Sequence, residues 1–446
     1  MLAIAAVVVL VAAGLLSEIQ VTLHAICIPW RVNRARREHE VTSPDTTNVT
    51  DQPEPESWIL VPALYEQTVA SRTVRIFGAV AASAPVRCVI VTSQREIVES
   101  CSGHETTQVV VRQEITKQGV PVELWNYPYV KGNKSSQLNW AVQRLRLMGG
   151  EPIDPGNTYI GVFDFDSVPD QRSLVAVLRC ERDKHTPVIQ VVPLNLANIS
   201  SLASRGIGSS ACFAEAILHS SRSLGIEMWK LVGPRLSIKG VSRYAMGAGL
   251  FLRLDALDSA GGFPAAVDDI PLGYELSLRD FEFTTVPYFN YVAAHTSIAG
   301  VANSNVLIFS GVLSGIGVLR KCRKIYKVPL VNQARLVLSV ANDTYEFTLY
   351  PIMGLALTGI EIGVRTTGLL VMVALYWLFP PLQFLLTLKA IRQVVRASDT
   401  RRPLLFPIVL TLGRRYWRAL GSWTYIYRAI RSIFGGTPVK FTKTTR

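Results

Sequence analysis

Three stretches of this chain are too apolar to fold alone in water, and they limit what the rest can be. Residues 2–16 read LAIAAVVVLVAAGLL, and the apolar character continues to Pro29 and Trp30, interrupted by Glu18 and His24. Toward the other end, LYPIMGLALTGIEIGV (349–364) and TGLLVMVALYWLFPPLQFLLTL (367–388) repeat the pattern. Runs of this length match the hydrocarbon core of a bilayer, which a helix crosses in about 20 residues. A charged content of 18% and a positive mean hydropathy of +0.27 also fit a membrane protein better than a soluble one.

The first run reads as an uncleaved anchor, because no basic segment precedes it and RVNRARR (31–37) follows directly. By the positive-inside rule that flank stays in the cytoplasm. The formal charge of +13 sits at the far end, where residues 390–446 carry twelve Lys and Arg against one acid, Asp399. Basic clusters beside apolar segments suit anionic lipid, whereas a nucleic-acid reader carries its charge on the folded domain. Membrane lipid is therefore an expected partner and nucleic acid is not. The six cysteines lack CxxC or Cys/His spacing, so neither zinc nor a disulfide framework is indicated, and the sequons at Asn48, Asn133, Asn198 and Asn342 read as chance matches.

Between the apolar ends, strand-like runs alternate with helix-length mixtures. WILVPA (58–63), VRCVIVT (86–92), VPVELWNYP (120–128), YIGVFDF (159–165), VIQVV (188–192) and LFLRL (250–254) are the predicted strands, with helices over 134–148, 171–183 and 209–230. This alternation predicts an α/β domain around a mostly parallel sheet. The sharpest chemical signal is VFDFDS. Strand alternation puts Asp164 and Asp166 on one side, where the sheet ends and open α/β sheets bind ligands. Paired hard oxygen donors suit Mg2+ or Mn2+ on a diphosphate, although the pair also reads as a solvated turn that caps the next helix. Glu66 lies just past the first strand. Lys134 and Asn139 open a helix, a favourable place for phosphate, and Asp268 and Asp269 follow a Gly-Gly-Phe and precede a helical segment.

In this order the motifs resemble those of the inverting family-2 glycosyltransferases of the GT-A fold, from Trp58 to about residue 290. The features are P-A-x-x-E after a strand, K-S-x-x-L-N-x-A, D-x-D, and G-G-F followed by an acidic pair and L-G-x-x-L. The resemblance implies a nucleotide-sugar donor, UDP-linked by family frequency, with Glu66, Lys134 and Asp164 binding it. It also implies Mg2+ or Mn2+ held by Asp166 with Asp164, and a general base at Asp269 with Asp268 as the alternative. A glycan or lipid-linked acceptor would then receive a hexosyl unit with inversion. Two features depart from the family: VIVTSQRE offers Thr92, Ser93 or Gln94 where an Asp is usual, and the Q-x-x-R-W element of processive synthases is missing. Its candidate slots, NSNVLIFSG (303–311) and NQARLVL (332–338), offer Ile308 with Phe309, or Leu336, where the Trp would stand. His295, after a short apolar strand, reads as a turn or core histidine more readily than as a third metal ligand.

The expected organisation is an anchor (1–30), a basic flank with disordered linker (31–57), a GT-A catalytic domain (58–295) and an acceptor-side or interfacial segment (296–346). A transmembrane hairpin (347–390) and a basic tail (391–446) follow, the tail holding either a third span or an interfacial helix. The whole is then a multi-pass membrane enzyme with a cytoplasmic catalytic domain. A processive polysaccharide synthase or a catalytically inactive scaffold of the same fold are the alternatives.

Overall fold

The computed structural model describes residues 2–41, 54–99, 105–148, 152–202, 206–232, 245–264, 269–395 and 405–433. Its centre is a sheet of eight strands: β1 (Glu56–Pro62), β2 (Val86–Ser93), β3 (Val122–Tyr127), β4 (Thr158–Val162), β5 (Val168–Pro169), β6 (Val188–Leu194), β7 (Leu250–Arg253) and β8 (Phe283–Tyr291). They lie in the order β3-β2-β1-β4-β7-β6-β8-β5. Parallel pairing joins β3, β2, β1 and β4, and again β6 and β8, while β7 and the short β5 run the opposite way. The sheet is thus mixed, and β7 brings its amino end to the edge where its neighbours present their carboxyl ends.

Both faces of the sheet are covered, which explains why the strands read as unbroken apolar runs. The described helices before residue 297 are α1 (Leu2–Val41), α2 (Ala70–Ser83), α3 (Gln94–Glu99), α4 (Thr107–Gln118), α5 (Lys134–Met148), α6 (Gln171–Lys184), α7 (Ile199–Leu202), α8 (Ile207–Val232), α9 (Leu254–Ala260) and α10 (Ile270–Leu278). Trp58 and Leu60 pack under α5, α9 and α10, while Ile59 and Val61, one residue out of phase, pack under α2, α4 and α6. Each fully buried Leu, Ile or Phe contributes about 1.5–3 kcal/mol, so the alternation fixes the strand register firmly. Glu181 of α6 is buried on the second face and accepts a hydrogen bond from the Ser57 hydroxyl; burial pushes its carboxyl up to about 7.

The remaining helices are α11 (Ile298–Ile325), α12 (Leu330–Val364), α13 (Thr367–Val394), α14 (Leu405–Leu410) and α15 (Arg414–Ile433). Among the described residues four helices are long and apolar enough to cross a membrane, namely α1, α11, α12 and α13. The expected hairpin corresponds to α12 and α13. The further apolar helix precedes this pair instead of following it, because α15 is studded with arginines and only α11 keeps a long apolar stretch. Part of α11 and the start of α12 pack on α10 through Tyr274, Val312, Leu336 and Val340.

The basic flank after the anchor is helical. α1 continues through it to Val41, with Val32 and Ala35 buried and an Arg34–Glu38 pair at 2.7 Å one turn apart. The predicted linker falls mostly in residues 42–53, outside the described residues. Along the bundle, Gly14 of α1 admits the ring of Tyr350, and Gly354 of α12 admits that of Tyr376; a β-carbon at either would overlap the ring. Glu18, the acid that interrupts the anchor, meets Arg415 of α15 at 2.7 Å and the Gln383 amide of α13. A charge among apolar helices is tolerable when paired in this way.

Candidate active site

The alternation of β4 continues past its last ladder residue. Phe163 and Phe165 are buried in the core, leaving Asp164 and Asp166 half-buried at the edge. The Phe163 N–H donates to Leu60 O at 3.2 Å, the Thr73 hydroxyl donates to Phe165 O at 2.7 Å, and Ser167 N–H closes the turn onto Asp164 O at 3.0 Å. Both carboxylates are therefore mounted on a turn fixed at three points.

Lys134, the first residue of α5, reaches Asp164 with Nζ at 2.9 Å from Oδ1. α5 starts here because the Asn133 side chain accepts from Ser136 N–H at 3.0 Å, an N-cap bond. Both side chains of the ion pair keep some solvent exposure, so the pair adds little stability. It does place a cation beside the acids at a helix start. On the other side, Asp166 Oδ2 accepts the backbone N–H of Ala293 at 3.1 Å, just beyond β8. His295 lies two residues further on. Among the described residues no group of three or more His, Cys, Asp or Glu side chains converges as a metal site, so His295 does not complete a cluster with the two aspartates.

Asp269 caps α10. Its Oδ1 accepts Ile270 N–H and its Oδ2 accepts Gly247 N–H, both at 2.7 Å. Gly247 leads into β7, and Gly249 N–H donates to Val162 O at 2.7 Å, two residues before Asp164. A short backbone path thus ties Asp269 to the Asp164 turn, made possible by the reversed β7. Gly249 has φ +87°, and a β-carbon there would lie 2.6 Å from Val191 O, so the crossing admits only glycine. The Gln190 side chain, buried in β6, holds the same loop by bonding Met246 N–H at 3.0 Å and Gly249 O at 3.2 Å. Asp268 lies outside the described residues.

Asn139, in the second turn of α5, accepts Phe263 N–H and donates to Phe263 O, each at 2.8 Å. This pair of hydrogen bonds explains the spacing of the K-S-x-x-L-N and G-G-F motifs: the helix that carries Lys134 is latched to the loop that leads toward Asp269. Glu66 sits in the turn after β1. That turn is held by the buried carboxylate of Glu96, which accepts from Tyr65 N–H at 3.1 Å and from the Gln67 amide at 2.7 Å. At the ends of β2 and β3, Thr92, Asn126 and Gln94 form a chain: the Thr92 hydroxyl lies 3.2 Å from Asn126 Oδ1, and the Asn126 amide donates to Gln94 at 3.0 Å. Sequence reasoning named Thr92 and Gln94 but missed Asn126, Gly247 and the Ala293 N–H, whose places depend on strand order.

The slots considered for an acceptor-stacking Trp are closed. Phe309 is 0% exposed, with its ring between Phe347 and Tyr425 at 5.9 Å each, and Leu336 is packed against α10. Cys88 and Cys180 are poor nucleophiles, since burial pushes the first thiol up to about 12 and the second up to about 11.

No protein-family model and no curated protein matches the chain. Among solved structures it is similar to the mannosyltransferase PcManGT from Pyrobaculum calidifontis, solved in complex with GDP-Man and Mn2+. The likeness has a TM-score of 0.51, covers 95% of this chain and 99% of that one, and carries 13% sequence identity. It spans the sheet and the long helices together. What the two share is the fold.

Proposed function

We propose that the protein is a membrane-bound, inverting family-2 glycosyltransferase that moves a hexosyl unit from a nucleoside-diphosphate sugar to a glycan or lipid-linked acceptor. The observation that carries this reading is the meeting of Lys134 with Asp164 beside Asp166, on the sheet edge to which Gly247 ties Asp269. Lys134 and the start of α5 face the diphosphate. The amides of Gln94 and Asn126, with Glu66, line the side where the nucleoside lies. Asp269 accepts the proton that the acceptor hydroxyl loses as it attacks the anomeric carbon from the face opposite the leaving group.

Asp166 and Asp164 are the residues that would hold Mg2+ or Mn2+. Two carboxylates fit a cation that takes its other oxygens from the diphosphate and water, as Mg2+ commonly does. When bound, such an ion offsets the charge that grows on the departing nucleoside diphosphate. By the positive-inside rule the basic helical end of α1 supports a cytoplasmic catalytic domain, and in this reading α11 and the start of α12 lie on the acceptor side of α10.

Transfer of one or a few sugars is favoured over processive synthesis, because an aromatic platform must offer its face to the sugar and Phe309 has none to offer. The retained acids argue against an inactive scaffold. The test is a panel of UDP- and GDP-hexoses offered to purified full-length protein with Mn2+ or Mg2+. Metal-dependent release of nucleoside diphosphate from one donor supports the reading, and release from none of them refutes it. Sizing of labelled products made in membranes separates the two modes of transfer: discrete short products are expected, and long polymer made by the purified chain alone would overturn single transfer.

A further inference from the structure

A pocket lies past the Asp166 turn, at the short β5, and does not include the acids assigned to transfer. It is a cavity of ≈ 480 Å³ where the far ends of α1 and α13 meet the sheet, and neither Lys134, Asp164, Asp166 nor Asp269 lines it. Its cationic wall is Arg36 of α1, Arg72 of α2 and Arg172 of α6, set against one acid, Asp170. Arg172 is fixed by a fork onto Asp170, with Nε 3.0 Å from Oδ1 and NH2 2.6 Å from Oδ2, and its guanidinium lies 5.1 Å over the Tyr288 ring. Arg36 is fixed by donating to Pro287 O at 3.1 Å and Val394 O at 3.3 Å, also over Tyr288. Arg72 is exposed and, among the described residues, has no hydrogen-bond or ion-pair partner. The rest of the lining is mainly apolar, namely Val168, Leu196, Ala197 and, at the end of α13, Val394 and Val395, with Tyr291 beside them.

Three guanidiniums and one carboxylate leave two positive charges uncompensated in a half-enclosed site, which selects an anion. The apolar lining selects one attached to an apolar body. The position adds a third constraint, since two of the four membrane-length helices, α1 and α13, both end at this cavity. We propose that the cavity binds the phosphate of an anionic phospholipid headgroup and so seats the catalytic domain on the bilayer. Its size lies within the range of about 300–1,000 Å³ usual for small-molecule sites. The inference is independent of the catalytic reading, because it uses none of the residues assigned to transfer.

The experiment measures, by native mass spectrometry of the full chain in detergent, binding of dioctanoyl phosphatidylglycerol, with dioctanoyl phosphatidylcholine and inorganic phosphate as the other arms. Saturable binding of phosphatidylglycerol is expected, weakened about tenfold by Arg72→Gln, as fits the loss of one charge-assisted contact, and recovered by Arg72→Lys. Arg36→Gln should weaken binding in the same direction. Because Arg72 is exposed and unpartnered, its variants should fold normally and hydrolyse donor at the wild-type rate. Equal binding of phosphatidylcholine, or no effect of Arg72→Gln, would overturn the proposal. Displacement of the lipid by inorganic phosphate at an equal concentration would assign the site to a soluble anion and overturn the lipid assignment.

Discussion

Replacing Asp269 with Asn tests the base assignment and the local architecture together. The carboxylate accepts two backbone N–H groups, one on each oxygen, at 2.7 Å. An Asn side chain has one acceptor oxygen, so its amide nitrogen must face either Gly247 N–H or Ile270 N–H, donor against donor. One charge-assisted bond is lost and the other becomes neutral, a cost of about 2–4 kcal/mol when the orphaned N–H is included. The unfolding midpoint should therefore drop by several degrees. Turnover should fall further, by about 10²–10⁴, the size of a general-base contribution, with the donor KM little changed. Asp269→Ser separates the two effects, because a hydroxyl caps a helix well but cannot take the acceptor's proton. Steady-state transfer and thermal unfolding of both variants make the assay. If either variant keeps more than roughly a tenth of wild-type turnover, Asp269 is a cap and the base lies elsewhere, with Asp268 the next to test.

Other outcomes follow from the same geometry. Asp166→Ala should abolish transfer and metal-dependent nucleotide binding, as read by calorimetry with and without Mn2+; full wild-type activity in excess EDTA would contradict the metal assignment. Gly249→Ala should destabilise the protein by several kcal/mol, since it meets both a positive φ and the Val191 carbonyl; an unchanged midpoint would refute the close approach. The Glu181 carboxyl titrates near 7 when folded and near its ordinary value of 4.5 when unfolded. The folded state thus holds the proton more tightly, and this stabilisation is complete below about pH 4.5 and lost as pH rises through 7. Glu181→Gln should flatten that decline, which spans roughly 3 kcal/mol, in urea unfolding curves taken from pH 5 to 8.

The strands with long apolar runs, and the helix over 134–148, were legible because burial on both faces leaves a continuous signature in the residues themselves. β5 was not, since two residues carry no period. β8 was legible only as a short apolar strand before His295, because its TT and Pro287 dilute the pattern and its partners are set by a bulge between Gln190 and Val192. The acids at the end of β4 could be seen in advance. What holds them could not, because the Ala293 N–H that Asp166 accepts and the Gly249 N–H that donates to Val162 O belong to segments more than 80 residues away in sequence, the first just past β8 and the second at the start of the reversed β7. The anchor was read as ending at residue 30 because Arg-rich sequence looks like a flank, but helical pairing such as Arg34–Glu38 carries it on.

The pairing of Glu18 with Gln383 and Arg415 has a consequence for how the protein is made. Glu18 precedes Arg415 by nearly 400 residues, and nothing within α1 itself neutralises it. In the membrane-bound form proposed above, the first helix waits with an uncompensated acid, and with an open notch at Gly14, until α12, α13 and α15 have been synthesised. Assembly of the bundle is thus ordered by its last helix. A nascent chain halted before Arg415 should leave α1 loosely held, and such intermediates should be the ones that membrane proteases remove.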